Sequence, residues 1–283
     1  MNITHNSRNV LTIEMDDVKS GWEKWFLLSS DRHWDAVNCD RKLMLQHLGQ
    51  AKERDAHILD TGDFFSMMEG RYDPRRNFDN MRPEYVMQNY LDAISDDAIK
   101  QLKPYADRFL LLGRGNHDQA VKKHNGTDVM STLAKGLRGA GANVQLGGYS
   151  GWVRFQFIIS GTQKVRKQLY YFHGSGGGGE VTRGVIRSNR MSVYIDNADF
   201  IITGHTHDMW DVPIAHRTLN NKGNIVQYNC RCINLGTYAD DYGDGYDGYF
   251  VESGKSPRPR GAAWLRFYLL NNEIKSDITF AID

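Results

Sequence analysis

The tetrad Gly204-His205-Thr206-His207 follows the apolar run Phe200-Ile201-Ile202 across the single residue Thr203. Four more polar clusters precede it: Asp31-Arg32-His33, Gly62-Asp63, Gly115-Asn116-His117-Asp118 and His173-Gly174. Most of these also close a short hydrophobic stretch. A short apolar run bounded by turn residues reads as a buried strand. Polar clusters repeated at strand ends therefore predict one site assembled from several loops at the edge of a sheet. The set holds Asp, Asn and His but no Cys, which suits a two-metal centre for hydrolysis by activated water.

The segments between the clusters decide the fold class. Residues 22–30 read as a strand ending at Asp31. Residues 39–54 carry Leu43, Leu45, Leu48 and Ala51 at helical spacing, with Asp40 as N-cap. Residues 56–59 are a short buried strand running toward Asp63. Residues 83–102 read as one long helix, with Tyr85, Val86, Tyr90, Ala93 and Ile94 on its apolar face and Pro83 in its first turn. Residues 108–112 form a third strand, and 127–138 a helix. Alternating strands and helices imply a mostly parallel sheet. The second half is richer in strands, at 152–159, 168–172, 200–203, 224–235, 262–270 and 274–282, the last two joined at Asn271-Asn272. The expectation is an α/β fold: a four-layer αββα sandwich of two mixed sheets flanked by helices, one domain over 1–283, with a dimetal site at the strand-end loops.

Charge narrows the function. The chain has 35 basic and 34 acidic residues, which weighs against non-specific nucleic-acid binding as its main task, although a local basic groove remains compatible. Neither a membrane span nor a signal-peptide pattern is visible, so a cytoplasmic location is expected. Cys39, Cys230 and Cys232 are sparse and odd in number, which fits free structural thiols in a reducing compartment.

All five clusters in this order form a specific pattern. On them the chain resembles the calcineurin-like metallophosphoesterase superfamily. The resemblance covers at least Asp31 to His207. The phrasing Ser30-Asp31-Arg32-His33-Trp34-Asp35 and Gly70-Arg71-Tyr72-Asp73-Pro74-Arg75-Arg76 is similar to phage-encoded members. The resemblance implies that Asp31, His33 and His207 bind one metal, that Asp63 bridges, and that Asn116, His173 and His205 bind the second. His117 would face the substrate as general acid, and Asp118 would orient a histidine. Two divalent ions are implied, with manganese first among Mn, Fe, Zn, Ni and Co. One departure stands at Ser66, where the family often has Asp or His, and this puts in question any substrate contact from that position.

The remaining features refine the substrate. The glycine run 174–179 lacks the Gly-Lys-Ser ending of a nucleotide loop and reads as a mobile rim. Asp240, Asp241, Asp244 and Asp247 read as an exposed acidic loop rather than a calcium site. Arg71, Arg75 and Arg76 could grip a phosphate or sit solvated. Trp34, Phe64, Phe65 and Tyr72 suggest a partly apolar rim for a nucleobase or aryl group. Arg32 and Arg114 are the cations beside ligands, with Arg183 further off. Few cations favour a small phosphodiester, including cyclic nucleotides, over a monoester. A nuclease, a phosphomonoesterase and a metal-free scaffold are the competing readings.

Overall fold

The computed structural model describes residues 1–67, 81–246 and 248–282. Arg71, Tyr72, Arg75, Arg76 and Asp247 lie outside the described residues. The strands are β1 (Asn2–Ser7), β2 (Val10–Val18), β3 (Glu23–Ser29), β4 (His57–Asp60), β5 (Phe109–Leu112), β6 (Gln145–Leu146), β7 (Ser150–Ile159), β8 (Gln163–Phe172), β9 (Phe200–Thr203), β10 (Trp210–Leu219), β11 (Ile225–Asn234), β12 (Gly261–Leu270) and β13 (Glu273–Ile282). The helices are α1 (Arg41–Glu53), α2 (Tyr90–Leu102), α3 (Asn116–Asn125), α4 (Val129–Gly139), α5 (Val185–Tyr194) and α6 (Tyr249–Glu252).

One sheet has the order β13-β12-β3-β4-β5-β6, the other β1-β2-β7-β8-β9-β11-β10. Both are mixed. In the first, β3 to β6 are parallel and β12 joins β3 antiparallel. In the second, β8, β9 and β11 are parallel. Alternation along each strand sets the layers. Phe26 and Leu28, with Phe267 of β12 beside them, face the other sheet and meet Phe155, Phe157 and Phe200, whereas Leu27 and Ile58 pack under the helices. Leu43 and Leu48 of α1, Ile94 and Ala98 of α2, and Leu133 and Leu137 of α4 cover the first sheet. Met191 of α5 covers Ile201, Cys230 and Cys232 of the second. The order helix, sheet, sheet, helix is the four-layer arrangement expected. Among the described residues, no helix is long and apolar enough to cross a membrane.

The structure corrects the sequence reading in places. Residues 83–102 are not one helix: Pro83–Tyr85 make a single 3-10 turn and α2 starts only at Tyr90. Five residues apart, Tyr85 and Tyr90 would project about 140° from each other on a continuous helix. The break lets both be buried, Tyr85 on Asp97 and Arg41, Tyr90 on Asp35. Val86 and Met87, 62% and 43% exposed, take the outside of the bend. The β1–β2 hairpin, β10 and α5 were not anticipated at all.

Phe267 is the hub of the layer between the sheets, with ring contacts to Phe26, Phe155, Phe157 and Phe200 at 4.8–6.1 Å. Phe267→Ala is expected to cost about 3–5 kcal/mol, read as a lowered urea midpoint at unchanged m-value. A loss under 1 kcal/mol would contradict this packing.

Candidate metal centre

Parallel strands of both sheets end at one place. Asp31 and His33 follow β3, Asp63 follows β4, Asn116 and His117 follow β5, His173 follows β8, and His205 and His207 follow β9. The loops after β3 and β4 continue to pair beyond the strands: Asp31 N donates to Gly62 O at 2.9 Å, His33 N to Asp63 O at 3.2 Å and Trp34 N to Phe64 O at 2.9 Å. Asp31, His33, Asp63, His205 and His207 all have φ between 49° and 71°. Left-handed backbone at non-glycine residues is uncommon and concentrates at functional sites. Gly115 is required by close approach, because a Cβ there would meet Asp63 Oδ1 at 2.0 Å.

Asp31, His33 and His207 bring one ligand atom each within 4.8 Å of one another, and so do Asp63, His173 and His205. In the first group the Nε2 atoms of His33 and His207 are 3.1 Å apart. Asp31 Oδ1 lies 3.4 Å from His207 Nε2 and 3.9 Å from the Nε2 atoms of His33 and His173. That oxygen is buried and accepts no hydrogen bond. Each ring is turned inward by a bond to its other nitrogen: His33 Nδ1 meets Ser66 Oγ at 2.8 Å, and His207 Nδ1 meets the Asp241 carboxylate. A bare carboxylate oxygen facing converging imidazole nitrogens fits divalent cations held by O and N donors.

Asp63 links the groups. Its Oδ2 is 3.0 Å from His173 Nε2, and its Oδ1 accepts the His117 backbone N–H at 2.9 Å, at the start of α3. His117 stands apart from the ring pattern. Its Nδ1 donates to Ser66 O at 2.7 Å, which leaves Nε2 on the site side, 4.0 Å from Asp63 Oδ2. His33, Asp63 and His117 also form a triple within 4.8 Å. Asn116, expected on the second metal, is the first residue of α3 and half-buried.

Electrostatics follow from burial of this cluster. Burial favours neutral forms of Asp31 and Asp63, but His173 above all outweighs it and holds both carboxyls far below the usual range. Burial disfavours charge on His173, yet Asp63 and Asp31 push its pKa up to about 9. Burial is likewise outweighed at His207, by Asp241 and Asp31, so its pKa stands well above the usual histidine value. His33 is pushed down to about 3 by burial and then by His207 and His117.

Several expectations change here. Asp118, expected to orient a histidine, has its Oδ2 on backbone instead, accepting the N–H of Asp63 at 3.0 Å and of Gly115 at 2.8 Å. Burial, then the charge of Asp63, raises its pKa well above the carboxylate norm. Trp34, Phe64 and Phe65 are fully buried in the helix-side core and form no rim. Arg32 and Arg114 turn away from the site, Arg32 Nε to Asp60 at 2.6 Å and Arg114 Nη2 to Asp128 at 2.8 Å. Arg183 Nε lies 3.9 Å from Asp208. The glycine run joins β8 to α5, and Glu180 ties its end to Ser256 and Arg258. The acidic loop is not wholly exposed, since the Asp241 side chain is 13% accessible on His207. Cys39, Cys230 and Cys232 are free and buried.

Sequence reasoning missed Asp241, Asp35 and Tyr149 as parts of the site. Asp35 accepts from the backbone of Ser66 and Met67 at 2.6 and 2.8 Å and so fixes the loop beneath His117. Its place two residues after His33 was a usable signal. Tyr149 donates to Gly174 O at 2.6 Å and sets its ring edge-on to His173. Nothing in the sequence joined Asp241 to a histidine 34 positions earlier.

No family model matches the chain, and no curated protein does. Among solved structures it is similar to the calcineurin-like phosphoesterase YfkN from Bacillus subtilis, at 11% identity and a TM-score of 0.40 over 92% of this chain and 90% of that one. It is also similar to Vacuolar Protein Sorting 29 from Cryptosporidium parvum, at 12% identity and a TM-score of 0.37 over 93% and 100%. A third likeness is to GAP50, the anchor in the inner membrane complex of Plasmodium, at 13% identity and a TM-score of 0.37 over 91% and 84%. Function has to be read from the side chains of the site itself.

Two outcomes are expected. Asp241→Asn should weaken metal affinity by about 10–100-fold, as loss of a ligand-orienting carboxylate does. Unchanged affinity by metal titration would remove Asp241 from the centre. The second concerns pH. The folded pKa values of His173 and His207 are raised above 6.5, so their charged forms add stability below that value, and the His173 share is lost as pH rises through about 9. Metal-free protein should therefore lose melting temperature between these limits, while metal affinity rises as bound protons are displaced. A flat melting profile together with pH-independent affinity would refute the charge assignment.

Proposed function

We propose that this chain is a metal-dependent phosphoester hydrolase acting on small phosphodiesters. The observation that carries the reading is the buried, bondless Asp31 Oδ1 facing the Nε2 atoms of three histidines. Asp31, His33 and His207 would hold one divalent ion, His173, His205 and Asn116 a second, and Asp63 both, with manganese the first candidate. When bound, the ions supply Lewis acidity to the phosphoryl group and the attacking water.

The chain's own residues supply the rest. The Ser66 carbonyl keeps the proton on His117 Nδ1. A second proton, on Nε2, would then be the one available to a leaving oxygen, from the side of the ring that faces the Asp63 carboxylate at 4.0 Å. Asp118 holds the Asp63 and Gly115 amides, so the bridging carboxylate and the His117 backbone keep one geometry.

Diester preference is supported by where the cations go. A monoester dianion needs more positive charge around its free oxygens than a diester monoanion. Arg32 is committed to the buried Asp60 and Arg114 to Asp128. The burial of Trp34, Phe64 and Phe65 removes the earlier reason to favour an aryl or nucleobase group.

The test is kcat/KM of manganese-reloaded protein on matched aryl mono- and diesters, with His117→Ala alongside. A diester preference is expected. The variant should lose about 10²–10⁴-fold on poor leaving groups, and less on good ones, while its metal content is unchanged. A tenfold or greater preference for the monoester would overturn the diester assignment.

A further inference from the structure

The β10–β11 hairpin is longer than the sheet that carries it. Its two strands pair in unbroken register from Trp210↔Asn234 to Leu219↔Ile225. Only Arg231–Asn234 of β11 also pair with β9. The rungs from Ile214↔Cys230 outward pair with each other alone, a two-stranded arm of about 20 Å at 3.3–3.4 Å per residue. Such a ribbon is marginal in water without a further surface to pack on. Its tip nevertheless exposes Leu219 at 65%, Ile225 at 77% and Val226 at 37%.

The composition of the arm points to its occupant. No acidic residue occurs between Asp211 and Asp240. The free part carries His216, Arg217 and Lys222 together with Asn220, Asn221, Asn224, Gln227 and Asn229. His216 and Tyr228 stack across the strands, at 5.1 Å and 14°, and stiffen it. Cations for phosphates, amides for base edges and aliphatic side chains to wedge between base steps are the groups with which proteins engage duplex grooves. The major groove admits a two-stranded ribbon. A lipid surface would leave the amides unsatisfied as the tip entered it.

We propose that the β10–β11 arm is a binding element for double-stranded nucleic acid, entering a groove with Leu219 and Ile225 at its tip and Arg217 and Lys222 on the backbone. The near-zero net charge of the whole chain does not oppose this, because the acid-free stretch is local. The arm begins beside His207 and runs away from the site, so binding is independent of the hydrolytic reading above.

The experiment measures anisotropy of a short fluorescent duplex with chelator present, over a salt series. Ala215 and Asn229 are paired directly, so an Asn-Gly turn can replace residues 216–228 and close the shortened hairpin. Wild-type protein should bind with strong salt dependence, and the shortened arm should lose at least tenfold. Arg217→Ala with Lys222→Ala should lower the slope of log K against log salt by about 2. Leu219→Ala with Ile225→Ala should weaken binding without changing the slope. Any of four results would overturn the proposal: no duplex binding at low salt, equal binding by the shortened arm, equal affinity for single strands, or an arm required instead for self-association or for anionic vesicles. Melting temperature and small-diester turnover of the shortened protein serve as controls for folding.

Discussion

The Asp63 carboxylate is the contact on which the site depends. One oxygen takes a backbone N–H from the start of α3, the other meets His173 from the second sheet. A single side chain thus fastens the carboxyl ends of both sheets and the first turn of a helix. Its own backbone is fixed by Asp118 and its flank by the missing side chain of Gly115. A buried carboxylate without a cationic partner would cost several kcal/mol. Asp63 is therefore tenable only with positive charge beside it, from protons on the histidines or from metal.

The loops that deliver the ligands are strained and held. Five candidate ligands sit in left-handed backbone, each at a cost of order 1–3 kcal/mol. Such conformations persist where neighbouring contacts over-determine them. Here the β3 and β4 loops pair through successive backbone hydrogen bonds, and Asp31 Oδ2 accepts the His205 N–H at 2.8 Å from the other sheet. The Arg32–Asp60 pair, both fully buried, locks the turn from below, with Arg32 also set against Phe64, Phe109 and Tyr238. A buried pair of this kind contributes little net stability. We read its value as fixing the one geometry that points Asp31 and His33 outward.

Much of this was legible because parallel strands buried on both faces are short apolar runs, and the residues that end them stand out. Asp31, His33, Asp63, His173, His205 and His207 were marked in that way, and the layers followed from the alternation of elements. The aromatic rim was misread because aromatic residues beside ligands were taken to share their side of the loop. Asp31 and His33 turn to the site in left-handed backbone, while Arg32, Trp34 and both Phe64 and Phe65 are fully buried. The break before α2 was hidden because Tyr85 and Tyr90 are each fixed by distant polar partners, Asp97 and Asp35. Asp241 was hidden for the same reason, since its meaning lies in a contact across the fold.

The orientation of the arginines is also a condition for the centre to work as a metal site. The cluster places the Asp31, Asp63 and Asp241 carboxylates around His33, His173 and His207. The negative charge is strong enough to hold protons on His173 and His207 despite burial. A guanidinium is always charged, and one turned inward from Arg32 or Arg114 would neutralise that field permanently. Histidine protons, in contrast, can be exchanged for a divalent ion. By committing Arg32 to Asp60 and Arg114 to Asp128, the fold leaves its demand for positive charge to groups that can be displaced.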